Sequence, residues 1–313
     1  MIFSAGLSPA WQEILIFDRL RRGEVNRAVE SHWSASGKVL NAARAVSRLC
    51  APQGTASRAL TVLGGPAGDA MAAALTGEGL AVGWVKSATA SRVCTTVIDR
   101  SDGSITELVE NAGPVAAGEL EEFRRMFLEE APAATAIVLT GSLPSGTPAD
   151  YYHSLLVGAR APVILDARGP ELLAALEHGP FLVKPNREEL AKTTGKPIQR
   201  EEDLRSAMIE LGRRGAAWVL VSQGRDAVWA HGQGKFYRFR PPRVEAVNPI
   251  GSGDCLAAGI AVAIARSEDP LEAIRFGIAG GAENAAVLLP ADLDPAKVEA
   301  RRAEVAFEEF GAA

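Results

Sequence analysis

A chain of 313 residues with 47% hydrophobic and 23% charged residues has ordinary globular composition, and it is long enough to bury a substantial core in one large α/β domain or two smaller ones. Its net charge of −5, with no basic run longer than two residues, lacks the basic stripe of a nucleic-acid binder, so no nucleic-acid partner is expected. Cys50, Cys94 and Cys255 are isolated and odd in number, no stretch reaches the roughly 20 apolar residues that span a bilayer, and no leader pattern opens the chain, so a soluble cytoplasmic protein without a membrane partner is expected.

From the N-terminus, Ile14–Phe17 reads as a strand and Leu40–Leu49 as a helix with alanine and valine along one face. Strand candidates Ala59–Leu63 and Val82–Val85 flank a helix from Asp69 to Thr76. Cys94–Asp99 and Ile105–Val109, separated by Ser101-Asp102-Gly103-Ser104, read as a hairpin, which within a βα chain suggests a lid. Between residues 135 and 225 the alternation becomes regular. Apolar runs at Ala136–Thr140, Pro162–Asp166, Phe181–Lys184 and Ala217–Ser222 alternate with helical stretches at Pro148–Ala159, Glu171–Glu177, after Asn186 and after Arg200. Such a series predicts a doubly wound, mostly parallel sheet with helices on both faces, an α/β/α sandwich. Gly141-Ser142, Asp166, Lys184-Pro185-Asn186 and Ser222-Gln223-Gly224 then fall at carboxyl ends of strands, the edge where open α/β sheets bind ligands. No linker or internal repeat interrupts the pattern, so one domain over 1–313 is expected, with lid segments at about residues 11–36 and 90–112.

Three strings carry candidate chemistry. Asn248-Pro249-Ile250-Gly251-Ser252-Gly253-Asp254 precedes the strongly helical run Cys255–Ala265. Two glycines permit a tight turn, the helix start offers unpaired N–H groups to an anion, and Asp254 beside them could accept a proton from a hydroxyl. The spacing alone equally allows Asp254 to be a plain helix N-cap. No Walker loop exists, because Gly37-Lys38 is followed by Val39, and a Rossmann fingerprint would need glycine where Leu256 stands. Asn186 and Glu189 could face a phosphate-bound Mg²⁺ through water, or form a capping box. Gly37-Lys38 opening a helix could hold an anionic substrate, or be an exposed cap. Arg27 and Arg92 read individually as surface charges, and the four histidines, His32, His153, His178 and His231, show no metal spacing.

In their order these strings resemble the PfkB (ribokinase-like) carbohydrate kinase family over almost the whole chain, and within it the phosphosugar branch of 1-phosphofructokinase and tagatose-6-phosphate kinase. Gly23–Arg27 is similar to the branch's early lid segment, Ala35–Lys38 with Asn41 to A-G-G-K-G-x-N, and Gly141–Gly146 to G-S-L-P-x-G. Lys184-Pro185-Asn186 with Glu189 is similar to K-P-N-x-x-E, and Gly251–Asp254 to G-A-G-D. The resemblance implies ATP-dependent phosphorylation of a sugar phosphate, with Asp254 as base and the amides of Gly251, Ser252 and Gly253 as anion hole. It implies Asn186 and Glu189 around Mg²⁺ and the ATP phosphates, and Lys184, Ser222 and Gly224 against ATP. Gly37, Lys38, Asn41, Arg92 and Ser142 would hold the sugar phosphate, Arg27 would reach in from the lid, and the lid strands would pair a homodimer.

Three departures bear on the acceptor. Gln12 stands where the branch has an aspartate that grips sugar hydroxyls, and its neighbour Glu13 would face the other way on a strand. Val39 replaces a glycine, and Asn248-Pro249 replaces a polar residue and threonine. They keep open a kinase of an unphosphorylated sugar or nucleoside, and a homologue that binds sugar phosphate without turning it over.

Overall fold

The computed structural model describes residues 1–311. It opens with β1 (Ile2–Ala5), β2 (Ala10–Phe17), β3 (Glu30–Ser36) and α1 (Lys38–Cys50). There follow β4 (Ser57–Leu63), α2 (Gly65–Gly77), β5 (Val82–Lys86), β6 (Arg92–Asp99), β7 (Ser104–Val109) and α3 (Ala117–Glu130). The middle of the chain forms β8 (Ala136–Thr140), α4 (Tyr151–Leu156), β9 (Val163–Asp166), α5 (Gly169–Ala175), β10 (Leu182–Val183), α6 (Arg187–Thr194) and α7 (Glu201–Arg213). The remainder comprises β11 (Trp218–Val221), β12 (Val228–Gly232), β13 (Lys235–Arg240), α8 (Ser252–Ala265), α9 (Pro270–Ala285), α10 (Pro295–Glu304) and β14 (Ala306–Phe310).

A 10-stranded sheet in the order β14-β13-β12-β11-β10-β9-β8-β1-β4-β5 forms the centre. From β5 to β11 every pairing is parallel, and β11 to β14 continue it antiparallel. Successive residues point to opposite faces. Phe3, Ile137, Leu165 and Val219 therefore join one core with Phe123, Phe127 and Tyr152. Their neighbours Ile2, Val138, Ile164 and Leu220 join the other, with Val46, Ile260 and Phe276. Strands buried on both faces must be apolar throughout, and this is why the middle of the sequence reads so clearly. α8, apolar around nearly its whole circumference, is buried along almost all its length.

β2, β3, β6 and β7 form a separate 4-stranded sheet in the order β3-β2-β6-β7. The expected hairpin is the antiparallel β6–β7 pair. β2 joins it in parallel, with Ala10 opposite Arg92, so two insertions distant in sequence make one lid sheet. The helix expected over Pro148–Ala159 is shorter: α4 ends at Leu156, where the Gly158 amide bonds back to the Leu155 carbonyl and tightens the last turn. β12 to β14 and the helices α9 and α10 carry no counterpart among the expected elements.

Phe127 is fully buried, with its ring centroid 5.4 Å from that of Phe3. Phe127→Ala is expected to cost about 3–5 kcal/mol of unfolding free energy in urea titrations. A loss below about 1 kcal/mol would mean that this layer collapses onto the vacated space.

Candidate active site

The site gathers at the carboxyl edge of the parallel strands and the starts of α1 and α8. At the first, β3 turns into α1 through Gly37, which has φ +87. A Cβ there would lie 2.8 Å from the Pro9 Cα and 2.9 Å from the Ala10 nitrogen. Only glycine allows the end of β3 to press this close to the segment entering β2. One turn later the buried Asn41 accepts a hydrogen bond from the Ser36 hydroxyl (2.8 Å). Its amide, fixed in that sense, donates to Asp254 Oδ2 at 2.9 Å. Val39 packs as an ordinary helical residue beside Gly6, so glycine is not required there.

At the second start, Gly251 is the N-cap of α8, in the left-handed region with φ 86 and with no side-chain cap bond. Asp254 is three residues further on, inside the first turn, so the plain N-cap reading of Asp254 is corrected. Gly251 lets the helix begin at Ser252, three residues earlier than the apolar run suggests; no side chain caps the first turn, but the Ser252 amide expected in the anion hole donates to the Pro249 carbonyl at 3.1 Å. The turn is held from α9. Asn284, fully buried, donates to the Ile250 carbonyl (2.8 Å) and Ser252 Oγ (3.1 Å), and accepts from the Ala291 amide (2.7 Å). Asn248 adds a local bond, accepting from the Ile250 amide at 3.1 Å.

Between the two helix starts lies a cluster of charges. Asp166, at the end of β9, is 1% exposed and meets Lys38 Nζ at 3.2 Å and Lys184 Nζ at 3.5 Å. Lys184 also lies beneath the α8 turn, where a Cβ on Gly253 would come within 3.2 Å of its ammonium. Burial raises the Asp166 pKa, but the ammonium groups of Lys184 and Lys38 outweigh it and hold the carboxyl below its ordinary value. Burial opposes the charge on Lys38 as well, yet Asp166, Glu189 and Asp254 together raise its pKa. Asp254 differs. Burial is the largest influence on it, and with Asp166 nearby it outweighs Lys38, Asn41 and Lys184 and pushes the carboxyl up to about 7. A buried carboxylate that takes and releases a proton near neutrality is suited to general-base work.

The remaining expected residues lie around this cluster in different ways. Asn186 and Glu189 do form a capping box on α6: Asn186 Oδ1 accepts from the Glu189 amide (2.8 Å) and Glu189 Oε2 from the Asn186 amide (2.9 Å). The second Glu189 oxygen is 3.8 Å from Lys38 Nζ, so the same side chain also faces the cluster. Ser222 bridges to Asn186 beside the end of β11, with exposed Gly224 in the turn that follows. Ser142 follows Gly141, whose carbonyl accepts from the buried Tyr152 hydroxyl at 2.7 Å. Gln12 is buried within the small sheet, donating to Thr96 Oγ1 (2.8 Å) and the Glu13 carbonyl (3.2 Å), with no bond to the charge cluster. Arg92 is no free surface charge, because its guanidinium donates to the carbonyls of Pro9 (3.2 Å), Ser8 (3.2 Å) and Glu110 (3.1 Å). Arg27 is exposed in the loop between β2 and β3. Asn284 escaped the sequence reading, and Asp166 was noted at a strand end but given no role. A polar residue closing an apolar strand was the signal for Asp166, whereas Asn284 in the last turn of α9 offered none.

A model of the pfkB family of carbohydrate kinases matches residues 12–289. Among solved structures, phosphofructokinase-2 from Escherichia coli in complex with fructose-6-phosphate superposes with a TM-score of 0.86 at 25% identity, covering 97% of this chain and 98% of that one. A possible 1-phosphofructokinase from Thermotoga maritima gives 0.89 at 20% identity, covering 99% of each chain. Ribokinase from the same organism gives 0.75 at 19% identity, covering 96% of this chain and 98% of its own, so the fold is ribokinase-like.

Folding lifts Asp254 from an ordinary carboxyl pKa of ~3.9 to about 7, so the folded chain holds this proton more tightly than the unfolded one. The stabilisation this confers is complete below the unfolded value and is lost as pH rises through about 7. Asp254→Asn, which cannot ionise, is therefore expected to gain more stability at pH 8 than at pH 5, by about 2 kcal/mol. Urea denaturation of both proteins at the two pH values checks this, and an equal difference at each would refute it.

Proposed function

The chain belongs to the pfkB family of carbohydrate kinases, ATP-dependent sugar kinases, and we propose that it transfers the γ-phosphoryl group of ATP to a hydroxyl of a sugar phosphate with Asp254 as base. The observation that carries this reading is a buried carboxyl, bonded by the Asn41 amide, in the first turn of a helix whose start has no side-chain cap and has Lys184 beneath it. In the proposed step the Asp254 carboxylate takes the proton of the acceptor hydroxyl as its oxygen bonds to the γ-phosphorus. The bond from that phosphorus to the bridging oxygen breaks, and ADP leaves. The amides of Gly251 and Gly253 would stabilise charge on the transferring group, the Ser252 amide being held by the Pro249 carbonyl, and Lys184 beneath them would add a fixed positive charge.

Lys184, Ser222 and Gly224 are proposed to contact ATP. Among the described residues no cluster of three or more His, Cys, Asp or Glu side chains could hold a metal ion. An oxygen-bound Mg²⁺ commonly takes only one or two carboxylates and relies otherwise on water and phosphates, which fits Asn186 and the second oxygen of Glu189. When bound, Mg²⁺ supplies neutralisation of the β- and γ-phosphate charge. Gly37, Lys38, Asn41, Arg92 and Ser142 would surround the acceptor, with Lys38, 37% exposed, as the cation most open to its phosphate. The small sheet presents exposed Trp33 and Leu108, apolar surface that supports the expectation of a homodimer through the lid, with Arg27 carried on its loop.

One observation favours a second reading. Three of the five N–H donors of Arg92 go to backbone carbonyls, and the neutral Gln12 has both amide donors engaged. An unphosphorylated sugar or nucleoside asks less of both residues.

Two measurements test these readings. Asp254→Asn should lower kcat by at least ~10²-fold, and wild-type kcat/KM should rise with pH to a plateau above about 7, because only the ionised base accepts the proton. Near-wild-type turnover of the variant would sink the assignment. With a panel of acceptors, Lys38→Met should raise KM for phosphorylated sugars about tenfold or more and leave unphosphorylated sugars much less affected. Equal effects on both classes would move the conclusion to an unphosphorylated acceptor.

A further inference from the structure

His153 and His178 lie far apart in sequence yet meet on the surface where α4 passes the turn that ends α5. Their Nε2 atoms are 3.1 Å apart, with ring centroids at 4.0 Å and planes inclined by 53°. This Nε2 separation is hydrogen-bonding distance, and the His178 Nε2–H can donate to the lone pair of His153 Nε2. Two nitrogens bound to one tetrahedral zinc ion at 2.0–2.1 Å stand about 3.3 Å apart. The nitrogens are therefore close to chelating spacing, and the rings, whose centroids would stand roughly 5 Å apart on zinc, swing outward to take the ion.

A second contact prepares the donor. His153 Nδ1 lies 3.1 Å from the Ala174 carbonyl of α5, which can only accept, so the proton of a neutral His153 sits on Nδ1 and Nε2 carries the lone pair. Metal-binding histidines are commonly oriented in this way through their other nitrogen. Glu177 Oε2, 3.9 Å from His153 Nδ1, adds negative charge beside the rings. The three cysteines, which would be softer ligands, are all buried, and burial pushes their thiols up.

We propose that His153 and His178 form a two-histidine site for a late first-row divalent cation such as Zn²⁺ or Cu²⁺, with water completing its coordination, that ties α4 to the end of α5. Two imidazoles prefer these ions to Mg²⁺, so the site is separate from any Mg²⁺ taken up with ATP. It does not depend on the kinase reading.

The test uses the full-length chain, free of any tag, without nucleotide. Calorimetric titration with ZnCl2 in a large excess of MgCl2 is expected to reveal one zinc site, weakened at least tenfold in His153→Ala and in His178→Ala. With CuCl2, paramagnetic resonance should register two imidazole nitrogens in the wild type and one in each variant. His178→Gln, which keeps a neutral polar group at that position, guards against a folding defect, and circular dichroism checks all variants. Undiminished zinc affinity in the variants, no zinc binding by the wild type, or an unchanged nitrogen pattern would overturn the proposal.

Discussion

Asp166 engages both lysines of the cleft at close range, and the character of Asp254 follows from that division of charge. Lys38 and Lys184 stand 3.2 and 3.5 Å from Asp166, which stays ionised although buried. Asp254, in the same cleft, receives one direct bond, from the neutral amide of Asn41. Two carboxyls of similar burial are thus driven apart in proton affinity by which of them holds the cations. With a lysine drawn against Asp254 instead, its carboxylate would be too weak a base to take a hydroxyl proton at neutral pH.

This division was only partly legible in the sequence. The carboxyl edge could be read because buried parallel strands are apolar until the residue that leaves the sheet, so Asp166, Lys184 and Ser222 stood out as interruptions. What Asp166 does depends on Lys38, 128 residues away, and no local pattern encodes that meeting. The glycine turn was visible too, but setting aside the cap reading of Asp254 required Gly251 to start the helix early and Asn284 to hold the turn from another helix. The strands β12 to β14 went unread because the alternation in Lys235–Arg240 is brief and is completed only by Phe307 and its neighbours near the end of the chain. Gln12 was recognised as a departure, and its partner Thr96 became apparent only once β2 and β6 were seen side by side.

Some alternatives posed by the residues were not exclusive. Glu189 caps α6 with one oxygen and faces Lys38 with the other, since a carboxylate has lone pairs to spare for both. The helix start and the proposed nucleotide site then share one rigid element, and no separate residue is needed to orient the carboxylate. Arg92 shows the reverse. A side chain that reads as a surface charge joins the Ser8–Pro9 segment to Glu110 at the end of the small sheet, so whatever charge it lends an acceptor comes from a group already held in place.

The parallel pairing of β2 with β6 has a consequence for how the molecule is made. Ala10 meets Arg92 only after α1, β4, α2 and β5 have been laid down between them, and pairings that close so large a loop form slowly. β4 and β5 pair with each other across a short helical crossover, whereas β1 meets β8 only across a stretch longer than the one between Ala10 and Arg92, so both sheets depend on distant pairings. The small sheet forms only when two segments that leave the central sheet at different points are brought side by side. Gln12 and its partner Thr96 meet only across that pairing, so the wall that holds Gln12 exists only once both segments are in place.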